Sequence, residues 1–152
     1  MRLVKLATLS AALLLATFAV AGSGGKVPPF NAKDGAALHG YDPVSYFTGD
    51  LPREGDERFS YNWMGVTWRF VSAENRKKFA RSPDAFAPQY GGYCAKAVSE
   101  NSIADIDPLA YKIVGGKLYL NYSSKIQKLW EQDVPGRVAK ADAYWPGLYA
   151  TP

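Results

Sequence analysis

YNWMGVTWRFVSAENRKKFARSPDAFAP, residues 61–88, carries the clearest structural pattern in the chain. With Phe59 just ahead of it, Tyr61 and Trp63 alternate with Ser60 and Asn62. Val66, Trp68 and Phe70 then alternate with Thr67 and Arg69. Successive side chains on a strand point to opposite faces, so each run puts its apolar residues on one face and its polar ones on the other. Met64-Gly65 between the runs is a two-residue turn, and the whole predicts a β-hairpin covered on one side. Ser72 is placed to cap a helix from Ala73 to about Arg81, which Pro83 stops. Phe79 and Phe86, seven residues apart, both face the sheet if helix resumes after Pro83.

A second hairpin is expected from Tyr111 to Val114, the turn Gly115-Gly116, and Lys117 to Tyr122, with Leu118, Leu120 and Tyr122 on one face. Ser123 caps a final helix in which Ile126, Leu129, Trp130 and Val134 form an apolar stripe. Pro135-Gly136 interrupts it, and a further segment runs to Trp145. Upstream, Asp42-Pro43 reads as a helix start that continues through Phe47. Residues 88–95 are turn-rich, and Ala95 to Ser99 add a helical turn. Together these predict an α+β fold: a small antiparallel sheet built from two hairpins, with helices packed on one side.

The N-terminus has a different character. Arg2 and Lys5 precede an apolar run from Leu6 to Val20 that ends in Ala19-Val20-Ala21. A basic head, an apolar centre and an A-x-A end are the parts of a secretory signal peptide, so residues 1–21 are expected to be cleaved and the chain to be periplasmic or secreted. The run is shorter than the ~20 apolar residues of a membrane span, and no stable span is expected after cleavage. Residues 22–37 read as a flexible linker, 38–146 as the folded domain and 147–152 as a C-terminal tail. Losing Arg2 and Lys5 lowers the formal charge from +4 to +2, too small a balance to imply a nucleic-acid partner.

The hairpin, the helix carrying Phe79 and the turn from Pro83 to Phe86 resemble the YHS domain family. The flanks GYDPVSYF (40–47), QYGGYCA (89–95), GGKLYLNY (115–122) and ADAYWP (141–146) resemble an extended group of exported bacterial YHS proteins. The resemblance implies a metal-binding module, copper being the usual suggestion. Relatives linked to copper transporters carry cysteines after the second strand and in the helix. Here those places hold Phe70-Val71-Ser72, Asn75 and Arg76.

The soft-metal expectation therefore falls on Cys94, the single cysteine. One thiol forms no internal disulfide, and in an oxidising compartment it is either buried and inert or kept for chemistry. A thiolate suits Cu(I); a free cysteine is equally a small buried hydrophobe. His39, the only histidine, is the expected second ligand if its loop folds beside residues 90–94, and otherwise a surface group. Met64 is a third soft donor or a plain turn residue. Asp42 and Asp107 precede prolines and fit helix capping; Asp105 and Asp107 are weak as a catalytic pair. Tyr41, Tyr46, Tyr90 and Tyr93 line either a small-molecule pocket or the core. No G-x-S-x-G, Walker loop, H-E-x-x-H or C-x-x-C is present, so an enzyme is supported only by a Cys94–His39 nucleophile pair. Two binding functions remain: a soft-metal module at Cys94 with His39, or a metal-free small-molecule or protein-interaction domain with an aromatic-lined pocket.

Overall fold

The computed structural model describes residues 25–151. The expected signal peptide, residues 1–21, lies outside them. The fold is α+β. Strands β1 (Ala32–Lys33), β2 (Ala36–Ala37), β3 (Asp56–Trp63) and β4 (Val66–Phe70) form one sheet in the order β1-β2-β4-β3. Strands β5 (Asp107–Val114) and β6 (Lys117–Asn121) form a separate antiparallel hairpin. The helices are α1 (Ala73–Arg81), the single turn α2 (Ala95–Val98), α3 (Ser124–Trp130) and α4 (Val134–Leu148).

Both hairpins form where the alternation placed them. Tyr61 pairs with Trp68 and Trp63 with Val66. Met64 and Gly65 both have positive φ, as do Gly115 and Gly116, the backbone of a type I′ turn whose twist matches that of paired strands. The hairpins do not join one sheet, however, and the first sheet is mixed, because β2 runs parallel to β4 through Ala36 and Thr67.

The linker expected at 22–37 is corrected from residue 25 onward. Ala36 and Ala37 are fully buried strand residues, and Phe30 packs edge-on against Trp68 with ring centroids 5.2 Å apart. Glycine, proline and alanine suggested a tail, but small residues are what close approach of backbone to a sheet requires. The C-terminal tail expected at 147–152 is likewise corrected as far as Ala150. The Val27 N–H donates to the Leu148 carbonyl at 3.0 Å, and the Ala150 N–H donates to the Val27 carbonyl at 2.8 Å. The two ends of the described chain are clasped together.

Ser72 caps α1 by accepting the Asn75 N–H at 3.1 Å, and Ser123 caps α3 by accepting the Ile126 N–H at 3.3 Å. The expected helix after Asp42 shrinks to one 3-10 turn, Ser45–Phe47. Asp107 caps no helix; it opens β5 and accepts the Leu109 N–H at 2.9 Å. The last helical break falls at residues 131–133, where Asp133 caps α4 through the Gly136 N–H. Pro135 then occupies the first turn of α4, where its missing N–H costs nothing.

Two apolar cores result. Phe79 of α1 sits among Trp63, Trp68 and Phe70, and with Phe30, Leu38, Leu118 and Leu120 fills the first. Tyr90, Tyr93, Val98, Tyr119, Trp130 and Ala141 fill the second. Strand β6 separates them: Leu118 and Leu120 face one core and Tyr119 the other. Helices therefore pack against both sheets, α1 on the first and α2 and α3 on the second, with α4 packed against α2. Among the described residues no helix is long and apolar enough to cross a membrane.

Candidate functional site

Cys94 lies in the turn that enters α2, tied by its N–H to the Ala104 carbonyl at 3.0 Å. Its side chain is 1% exposed. Sγ accepts the Tyr122 N–H at 3.3 Å and lies 3.7 Å from its own acceptor, Asn121 Oδ1. The same amide oxygen accepts the Lys96 N–H at 3.2 Å, while Asn121 Nδ2 is buried without a partner among the described residues. A cavity of about 290 Å³ opens beside Cys94, walled by Lys96, Ala97, Glu100, Ala104, Tyr122 and Ile126.

His39 is engaged elsewhere. Its Nε2 lies 2.7 Å from Asp105 Oδ1, an oxygen that also accepts from Asn31 Nδ2 at 2.8 Å and from the Ile106 N–H at 2.8 Å. Burial works to raise the Asp105 carboxyl, but the bonds from Asn31, Ile106 and His39 outweigh it and hold the group below its ordinary range. Asn31 also donates to the Gly92 carbonyl at 3.2 Å. The His39–Asp105–Asn31 group thus ties the N-terminal segment to the loop before Cys94.

No hydrogen bond joins His39 to Cys94, and no group of three or more His, Cys, Asp or Glu among the described residues is arranged to hold a metal. The cavity at Cys94 offers no second soft donor, and Met64 stands in the β3–β4 turn on the wall of a different cavity. The side chains around Cys94 do not by themselves fit Cu(I), which takes two or three soft ligands.

The larger concavity lies where four segments converge, and its volume is about 580 Å³, within the range of small-molecule sites. The N-terminal segment supplies Pro29 and Phe30, the end of β3 supplies Trp63, and the 84–91 loop supplies Tyr90 and Gly91. The fourth wall comes from α4 and the residue after it, with Asp142, Trp145 and Tyr149. Trp145 and Tyr149 stack at 4.7 Å with 19° between their planes, and Trp63 meets Phe30 at 5.4 Å.

Two backbone features hold this shape. Gly91 has φ +58 and lies so close to the N-terminal segment that a Cβ there would run into the Pro29 carbonyl. Its own carbonyl accepts the Asn31 N–H at 2.8 Å. Tyr90 has φ 54 and ψ 37, a left-handed conformation that is costly for a bulky residue and persists only where its surroundings fix it. Its hydroxyl donates to Asp142 Oδ1 at 2.9 Å. Burial first, then the bond to Asp142 and that residue's charge, push the Tyr90 phenol far above its ordinary value.

Of the four tyrosines named from the sequence, only Tyr90 lines this cavity. Tyr46 is buried and donates to the Pro108 carbonyl at 3.0 Å, Tyr93 belongs to the second core, and Tyr41 pairs with Glu54 along the backbone. Sequence reasoning missed Trp63, Asp142, Trp145 and Tyr149 as walls. The available signal was ADAYWP, in which Asp142 and Trp145 are three apart and so share a helix face.

Comparison with family models, curated proteins and solved structures finds no match.

Proposed function

We propose that this chain is an exported, YHS-like binding module that takes a small molecule into the aromatic cavity between its N-terminal segment and α4. The motifs at 40–47, 61–88, 89–95, 115–122 and 141–146 support the family reading, and the Arg2-to-Ala21 pattern supports export. The observation that carries the binding reading is the convergence of Phe30, Trp63, Tyr90, Trp145 and Tyr149 on one open concavity. Tyr90 is held there in a strained conformation, with its hydroxyl on Asp142. Strained backbone concentrates at ligand sites, where fixed geometry has a use. Aromatic walls with few polar groups are the usual composition of a small-molecule pocket.

The test is a fragment screen read on the protein. The indole N–H signals of Trp63 and Trp145 are followed by NMR as neutral, cationic and anionic fragments are added to the purified protein. Saturable shifts confined to the cavity residues, abolished in Trp145→Ala, are the expected result. Silence at both indoles across all three classes would overturn the reading.

A second reading, a soft metal at Cys94, is favoured by the cavity that opens beside the thiol. It requires donors other than the described side chains around Cys94, because His39 is engaged with Asp105. Anaerobic Cu(I) titration of the protein beside Cys94→Ala separates the two. Tight one-to-one binding lost in the variant favours the metal; equal weak binding favours the aromatic cavity.

A further inference from the structure

Resting on that pocket reading, we infer that the cavity selects a small organic cation, a quaternary or highly substituted ammonium group. The charge of the lining points this way. Two carboxylates, Asp84 and Asp142, border the cavity, and none of the residues lining it is Lys, Arg or His. Asp84 sits in the 3-10 turn Pro83–Ala85 and Asp142 on α4. Neither forms an ion pair among the described residues, where seven such pairs occur elsewhere. Among the described residues, then, no direct ion pair neutralises either carboxylate, and no cationic side chain shares the lining with them.

The rings supply the complementary half. Trp63, Tyr90, Trp145 and Tyr149 line the same space. The face of an aromatic ring is the negative end of its quadrupole, so a cation within about 6 Å of several rings is attracted by each. An anion would meet two carboxylates and a lining rich in aromatic rings. A primary ammonium carries donors that need acceptors on every side, whereas a methylated ammonium presents apolar surface to the rings and a diffuse charge to the carboxylates. The Tyr90 hydroxyl fixes one oxygen of Asp142, so this carboxylate is oriented before any ligand arrives.

The experiment compares choline with its uncharged isostere, in which a carbon replaces the nitrogen, so that shape is constant and only charge differs. Binding to the purified protein is read by tryptophan fluorescence and calorimetry at low and moderate salt. Choline is expected to bind at least about tenfold more tightly, with an affinity that falls as salt rises. Asp84→Asn and Asp142→Asn each lower choline affinity several-fold and leave the isostere unchanged. The amide introduced by Asp142→Asn keeps an oxygen for the Tyr90 hydroxyl, and an unchanged thermal midpoint shows that the fold is intact. Equal affinities for choline and isostere overturn the cation inference while leaving the pocket reading standing. Binding of neither, with the fragment screen also silent, overturns both.

Discussion

Gly91 and Gly115 offer a matched pair for testing how the cavity is built. Both have φ +58, so alanine at either position must adopt the left-handed conformation, at about 1–2 kcal/mol. At Gly115 nothing lies within 4 Å of the added Cβ, so Gly115→Ala is expected to lose only that amount. At Gly91 the Cβ also runs into the Pro29 carbonyl, with the Phe30 Cα 3.1 Å away. The clash is with backbone, so no side-chain rotation relieves it and the N-terminal segment must lift. Lifting it breaks the bond from the Asn31 N–H to the Gly91 carbonyl, worth about 1 kcal/mol. It also exposes Phe30, whose burial is worth about 1.5–3 kcal/mol. Gly91→Ala should therefore cost about 3 kcal/mol more than Gly115→Ala. Urea denaturation measures both, and Phe30→Ala made in each background completes the test. With the segment already lifted, Phe30→Ala adds little to Gly91→Ala, but its full cost appears beside Gly115→Ala. Equal destabilisation by the two glycine variants would refute the packing of residues 27–31 against the 89–92 loop, and with it one wall of the cavity.

Asp42 is fully buried; one of its oxygens takes the Val44 N–H and the other takes both the Val71 N–H and Asn75 Nδ2. Asp42→Ala should cost about 3 kcal/mol or more in urea denaturation, and Asp42→Asn should be no rescue, because whichever way its amide turns the NH₂ faces a backbone N–H, that of Val44 or that of Val71; full stability of the Asn variant counts against this anchor. The Cys94 thiol should resist a bulky thiol reagent in the folded protein and react fully in urea, so rapid native labelling would contradict its burial. The Asp105 carboxyl is held below its ordinary range, so the stability it contributes is complete above the unfolded-state value near pH 4 and is lost as pH falls through the lower folded value. The stability gap between the protein and Asp105→Asn should therefore close below about pH 4, and a gap that stays constant into acid would show that the Asn31 and His39 contacts do not favour the charged form.

The parts of the fold legible in the sequence are those set by local pattern. Strands β3 to β6 follow from alternation and from turn residues able to take positive φ, and the caps of α1 and α3 from Ser72 and Ser123. Each of these depends on residues within a few positions of one another. What escaped reading depends on distant partners. Nothing local in GKVPPFNAKDGAA (25–37) shows that Phe30 meets Trp63 and Trp68, or that Gly91 has no Cβ because Pro29 passes there. Asp42 reads as a cap from its place before Pro43, and it does hold the Val44 N–H. Its larger role, on the Val71 N–H and Asn75, spans about thirty residues. His39 and Cys94 drew attention as rare residue types, but rarity does not determine proximity. His39 was drawn to Asp105 and Asn31, and Cys94 into the core beside β6.

The cavity is also a seam. Phe30 and Trp63 belong to the core around the first sheet, whereas Tyr90 and Trp145 belong to the core around the second hairpin. Strand β6 already divides these cores, with Leu118 and Leu120 on one side and Tyr119 on the other. At the cavity the cores come together through the N-terminal segment, Gly91 and the end of α4. The Val27–Tyr149 clasp secures that meeting with two backbone hydrogen bonds. A ligand seated there touches both cores and both ends of the described chain at once. Its binding energy then acts on their junction, stabilising the closed clasp by mass action. In a chain whose single cysteine leaves it no internal disulfide, such a junction is where a bound molecule adds most to the holding together of the fold.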